Sequence, residues 1–111
     1  MIVSITRVEI NNSMVEKKGL SLVKFKTEWS GACQILEPVF NKLALSYKGV
    51  VNFFTIDVEV EKGVQDEYGI IELPTILFFS KGIIIDHSVG LISGNGLIEK
   101  IENALAKMGD E

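Results

Sequence analysis

Apolar residues along this chain keep two spacings, one of every second residue and one of every third or fourth. The first suits strands and the second suits helices. Ile2-Val3-Ser4-Ile5-Thr6-Arg7-Val8 is β-branched and roughly alternating, which predicts a short first strand. Asn11, Asn12 and Ser13 are N-cap residues for a short helix through Lys18, and Gly19 reads as its left-handed stop. Leu20 to Lys26 predicts a second strand, with Lys24 and Lys26 on one face and Val23 and Phe25 on the other.

From about Gly31 to Tyr47, Ile35, Leu36, Val39, Phe40, Leu43 and Ala44 recur at helical spacing along one broad face. Pro38 lies inside that run and predicts a kink or a break. Lys48-Gly49 ends the helix, and Val50 to Ile56 follows as a mostly apolar strand, expected to be covered on both faces. Asp57 opens a polar crossing, Glu61 to Tyr68 predicts a modest amphipathic helix, and Gly69 closes it. Leu73-Pro74-Thr75 opens a strand over Thr75 to Phe79, and Ser80-Lys81-Gly82 turns it tightly into Ile83 to Val89 as an antiparallel hairpin. After Gly90, Ser93 caps a last helix in which Leu97, Ile98, Ile101, Leu105 and Met108 keep the helical period. The order β-α-β-α-β-α-β-β-α implies an α/β fold, a mixed central sheet flanked by helices on both faces.

At 111 residues, of which 47% are hydrophobic, the chain is expected to form one domain over residues 1–111. Its net charge of −4 and pI near 5.0 come with basic residues scattered singly or in pairs such as Lys17-Lys18. Phosphate binding needs clustered cations, so nucleic acid is not the expected partner. The single cysteine excludes an internal disulfide and any multi-cysteine zinc site. No apolar run approaches the ~20 residues of a membrane helix, so no membrane partner is expected. Met1 to Glu9 lacks the basic start and apolar middle of a secretory leader, and the expected location is cytoplasmic.

Candidate chemistry concentrates in Trp29-Ser30-Gly31-Ala32-Cys33, between a strand and a helix. A strand that ends at an aromatic residue, turns through glycine and enters a helix sets Ser30 and Cys33 at the helix start. Peptide N–H groups are free there and favour nearby negative charge, which a thiolate could supply and a serine cannot.

Taken with the element order, Glu28-Trp29-Ser30-Gly31-Ala32-Cys33, Pro38 within the helix, Tyr68-Gly69-Ile70, Leu73-Pro74-Thr75 and Val89-Gly90 resemble the thioredoxin family. The likeness runs from about Ile2 to Ala106. It implies a thioredoxin fold and protein disulfide reductase activity in redox homeostasis. The family's Trp-Cys-Gly-Pro-Cys motif falls on Trp29 to Cys33, so Ser30 takes the place of the attacking cysteine and Cys33 that of the resolving one. Ala32 replaces a proline that tunes redox potential within the family. Pro74 matches the family's cis-proline, and Leu73 before it would offer backbone hydrogen bonds to an extended client. The resemblance thus makes Trp29, Gly31, Ala32, Leu73, Pro74 and Gly90 the candidate client-binding residues of a shallow cleft. Two departures accompany Ser30. The family's buried Asp falls on Lys24, and that acid's partner Lys falls near Phe53.

Dithiol reduction needs an exposed thiolate to attack and a second thiol to release the product. A hydroxyl is barely ionised at neutral pH and forms no stable bond to sulfur, so the chain as written is expected to lack dithiol turnover. Three readings stay open: an oxidoreductase whose attacking Cys was changed to Ser, a naturally redox-inactive peptide- or protein-binding module, and a monothiol acting through Cys33. Cys33 itself reads either as a buried, slow thiol or as a reactive one with Lys24 as its modulator. Ser30 also suits a plain N-cap, and Trp29 either a core lid or a binding anchor. His87 beside Asp86 is expected at the surface, and the run Asp57, Glu59 and Glu61 is expected to be solvated. No cofactor or metal is expected. Clients would be proteins or peptides, and an active form would draw electrons from a thioredoxin reductase.

Overall fold

A computed structural model describes residues 2–109 of the chain. In chain order the elements are β1 (Ile2–Ser4), α1 (Arg7–Glu16), β2 (Leu20–Lys26), α2 (Gly31–Ser46) and β3 (Val51–Asp57). They continue with α3 (Val64–Tyr68), β4 (Thr75–Ser80), β5 (Ile83–Val89) and α4 (Gly94–Gly109). The five strands form one sheet in the order β1-β3-β2-β4-β5. β1 and β2 run parallel to β3, whereas β4 runs antiparallel to both β2 and β5. The mixed sheet and the element order follow the hydrophobic spacing of the sequence.

β2 lies at the centre and is covered on both sides. Leu20 and Leu22 point into one core with Leu36, Phe40 and Leu43 of α2 and with Leu97 and Ile101 of α4. Val23 and Phe25 point into the other, with Ile10 and Met14 of α1 and Val64 of α3. Each such aliphatic or aromatic side chain is worth roughly 1.5–3 kcal/mol when fully buried, so both faces of β2 are strongly specified.

The ends of several elements differ from the sequence expectation. The first strand stops at Ser4 instead of running to Val8, because Thr6 starts a helix. The Thr6 hydroxyl accepts from the Glu9 N–H (3.2 Å), and the Glu9 carboxylate accepts from the Thr6 N–H (2.9 Å). This reciprocal capping box satisfies two donors at once and overrides the β-branched local preference. Asn11, Asn12 and Ser13 therefore lie inside α1 and do not cap it. Gly19 is left-handed (φ +78°) as expected, although the helix already ends at Glu16. α2 continues through Pro38 without a break. α3 begins at Val64, not Glu61, and closes on left-handed Gly69. The β4–β5 hairpin turns on Lys81 and Gly82, both at positive φ, the geometry that matches the twist of the paired strands.

The acidic run is engaged in contacts. Asp57 pairs with Lys26 at 3.4 Å, and Glu61 accepts the Arg7 N–H at 2.7 Å. These residues tie the start of α1 and the end of β2 to the crossing that leads to α3. His87 is exposed, as expected.

Candidate active site at the start of helix α2

The loop from β2 into α2 is held by its own side chains. The Thr27 hydroxyl accepts from the Trp29 N–H at 3.4 Å, and the Gln34 side-chain amide donates to the Glu28 carbonyl at 3.0 Å. Ser30 is extended (φ −102°, ψ 124°), and its Oγ accepts the Cys33 N–H at 3.2 Å. Its carbonyl accepts the Gln34 N–H at 3.1 Å, which opens the helical ladder. The hydroxyl therefore does the work of an N-cap, and Cys33 sits in the first helical turn directly above it. Gly31 is exposed, Ala32 is half-buried, and the free Cys33 thiol is buried, its residue only 4% exposed.

Strand register brings a second segment to the same end of the sheet. Phe25 near the end of β2 pairs with Thr75 at the start of β4, and Thr75 pairs with Val89 at the end of β5. The Leu73–Pro74 peptide bond is cis, and the Pro74 carbonyl accepts the Gly90 N–H at 2.7 Å. Gly90 has φ +80°, and a Cβ there would run into the Glu72 carboxylate, so glycine is required twice over. Leu73 is half-buried against the α1/α3 core, and Pro74 is buried.

Trp29 is 86% exposed and does not act as a lid on the core. Ile71 is 96% exposed, and Val89 and Leu91 are exposed as well. Ile71 and Leu91 carry no motif in the sequence, and Val89 enters there only beside Gly90 as part of the resemblance. The doublet Ile70-Ile71 did carry a signal, since Ile70 is buried and its neighbour points the other way.

Lys24 is the least expected member of the site. Its side chain lies on the same face of β2 as Leu20 and Leu22, and the residue is only 4% exposed. The ammonium stands 4.7 Å from the centre of the Phe40 ring, which packs edge-on against Phe53 at 5.1 Å. Phe53 is thus a second-neighbour partner through Phe40, while Thr55 is the residue paired with Lys24 on β3. Among the described residues no carboxylate lies within ion-pair distance of Lys24. Burial pushes its pKa below the ordinary lysine value; Glu37 opposes that shift, Lys26 adds to it, and Cys33 opposes it. Lys24 and Cys33 both line a cavity of about 460 Å³ that opens beside Trp29.

A sheet of this topology, with a thiol in the first turn of α2 and a cis X-Pro bond at the same sheet end, defines the class of thiol–disulfide exchange folds. The family model described as Thioredoxin matches residues 2–103. The chain is similar to a thioredoxin of Rickettsia felis, 29% identical over 92% of this chain and 97% of that protein. It is similar also to a thioredoxin of Staphylococcus aureus, 28% identical over 94% of this chain and 98% of its relative. Thioredoxin Y2, chloroplastic, of Arabidopsis thaliana is 34% identical over 76% of this chain, which spans half of that longer protein. The chain belongs to the thioredoxin family, whose general chemistry is thiol–disulfide oxidoreduction.

Proposed function

We propose that this chain, as one thioredoxin domain, keeps the client-binding end of the family site and lacks dithiol turnover because Ser30 replaces the attacking thiol. The observation that carries the reading is the Ser30 hydroxyl, committed to the Cys33 N–H as a helix cap. An oxygen so placed can neither attack a disulfide nor hold a covalent intermediate with sulfur. Trp29, Leu73, Pro74 and Gly90 would receive an extended peptide at the rim, with Gly31 and Ala32 leaving room beside the helix start. Clients would be proteins or peptides, and a thioredoxin reductase would be needed only by a form with both thiols. The lone free thiol suits a reducing compartment such as the cytoplasm.

Insulin reduction driven by dithiothreitol tests this. The chain should show no rate above dithiothreitol alone, and Ser30→Cys should raise the rate at least about a hundredfold, the scale expected for restoring a missing nucleophile. Turnover by the unchanged chain would overturn the reading.

A naturally redox-inactive binding module is the second reading, favoured by the fit of Lys24 over Phe40 and of Phe40 against Phe53. The changed charge pair is accommodated by an aromatic cluster, as expected of a site adapted to its own sequence. On this reading Ser30→Cys stays inert while peptide binding, followed by Trp29 fluorescence, persists.

A further inference from the structure

The two edges of the sheet differ in length. Among the described residues β1 closes one side with three residues, whereas β5 closes the other with seven. An edge strand presents unpaired N–H and C=O groups to any other strand, and a longer edge is the better template. Near the hairpin the β5 edge is bent. The register steps from Phe78 and Asp86 to Phe79 and Ile84 and leaves Ile85 out as a bulge, which spoils further pairing there. From Asp86 to Val89 the register is regular.

The ladder decides which groups this regular stretch turns outward. The Pro74 carbonyl accepts the Gly90 N–H, and hydrogen-bonded positions alternate along an antiparallel pair. Ser88 therefore exchanges ladder bonds with Ile76, while the main chain of His87 and of Val89 points away from β4. At His87 side chains already take both outward groups. Its N–H donates to Asp86 Oδ1 at 2.8 Å, and its C=O accepts from Lys100 Nζ of α4 at 3.0 Å. Lys100 and Asp86 also pair with each other at 3.5 Å, which completes a clasp between α4 and the sheet edge. Both side chains are about one-third exposed, and a pair so placed adds little stability. Leu97 and Ile101 already bury α4 against the core, so the helix does not need the clasp to hold it.

We propose that Asp86 and Lys100 keep the β5 edge from pairing with the β5 edge of a second copy of this chain. A strand edge is its own complement when two copies meet antiparallel about a twofold axis. With that axis at His87, the His87 N–H of each copy would donate to the His87 C=O of the other. Those are the same two groups that the clasp covers. Exposed Ile84 and Val89 line one groove with exposed His87 and would add apolar surface along the seam. The chain stays a monomer while the clasp is closed. This guard works through main chain and charge alone, so it is independent of Ser30 and Cys33.

Sedimentation velocity of the full chain over a concentration series tests this. The unchanged chain should sediment as a monomer. Lys100→Met removes the donor and the charge and should tighten self-association at least about tenfold, the scale of one lost charge-assisted contact. A dimer should then appear at concentrations where the unchanged chain shows none. Adding His87→Pro should return that variant to a monomer, because proline withdraws the outward N–H without breaking a ladder bond. A Lys100→Met chain that stays monomeric overturns the proposal, whether or not it takes up an added extended peptide. So does a dimer that persists with His87→Pro, and so does an unchanged chain that dimerises equally. Should Lys100→Met fail to fold, Asp86→Ala frees the His87 N–H and removes the lysine's partner, and it is read in the same way.

Discussion

Lys24 and Lys26 sit two residues apart on one face of one strand, yet their surroundings differ in kind. Lys26 lies at the end of β2, with a quarter of its side chain exposed, and pairs with Asp57 at 3.4 Å. Lys24 lies one step deeper, is closed over by α2, and faces an aromatic ring in place of a carboxylate. The first lysine fastens the end of β2 to the end of β3, a structural role. The second rests its charge over that ring, with Glu37 favouring the charge from beyond ion-pair distance. One strand face thus holds its outer lysine by an ion pair and its inner one by an aromatic ring.

Removing the ring over which Lys24 rests has the largest expected effect. Phe40→Ala takes away a fully buried side chain and the face over which Lys24 rests, and should cost about 3–5 kcal/mol in urea unfolding. Lys24→Met keeps the stem and deletes the charge, so it should stabilise the chain by about 2 kcal/mol near neutral pH. The sign of its pH dependence follows from the lowered pKa of Lys24. Between that lowered value and the ordinary 10.5 the unfolded chain binds more protons, so stability rises with pH across the window. The advantage of Lys24→Met should therefore shrink as pH approaches 10.5, and an advantage constant with pH would contradict a burial penalty on the Lys24 charge.

Smaller effects are expected at the paired lysine. Burial alone would raise the Asp57 pKa, but the Glu59 N–H, Lys26 and the Val60 N–H bring it below the ordinary 3.8. Its contribution is thus present above the unfolded value and lost as pH falls through the folded one. Asp57→Asn should cost about 1 kcal/mol above about pH 5 and nothing in strong acid, read from urea midpoints at both pH values. Ser30→Ala removes the α2 cap and should cost roughly 0.5–2 kcal/mol in the same assay.

Most of the architecture was legible in the hydrophobic spacing. The central strand, the two long helices and the hairpin follow from runs such as Leu20–Lys26 and from Leu97 and Ile101 at helical steps. The start of α1 is hidden in the sequence because Ile2 to Val8 looks like a strand residue by residue. The deciding signal was Thr6 with Glu9 three positions on, a pair that outweighs local β preference. α3 starts later than the pattern suggests because Gly63 is left-handed (φ +86°), a conformation that cannot continue a right-handed helix. At the site, the segment Trp29 to Cys33 and the Leu73-Pro74 turn were visible as motifs. The depth of Lys24 was not, because alternation along a strand says which side a residue faces and not which helix covers it. The exposure of Trp29, Ile71 and Leu91 likewise depends on how separate loops meet at one sheet end.

A thiol at position 30 would meet protein clients, whereas the buried thiol at position 33 does not. Capture of a disulfide-bonded protein as a covalent complex, resolved on a non-reducing gel, tests it most directly with two chains. Ser30→Cys combined with Cys33→Ser should accumulate the complex, because its one thiol sits at the half-buried N-cap position beside exposed Trp29 with no mate to release the client, and the unchanged chain should form none. Equal capture by the unchanged chain would contradict it.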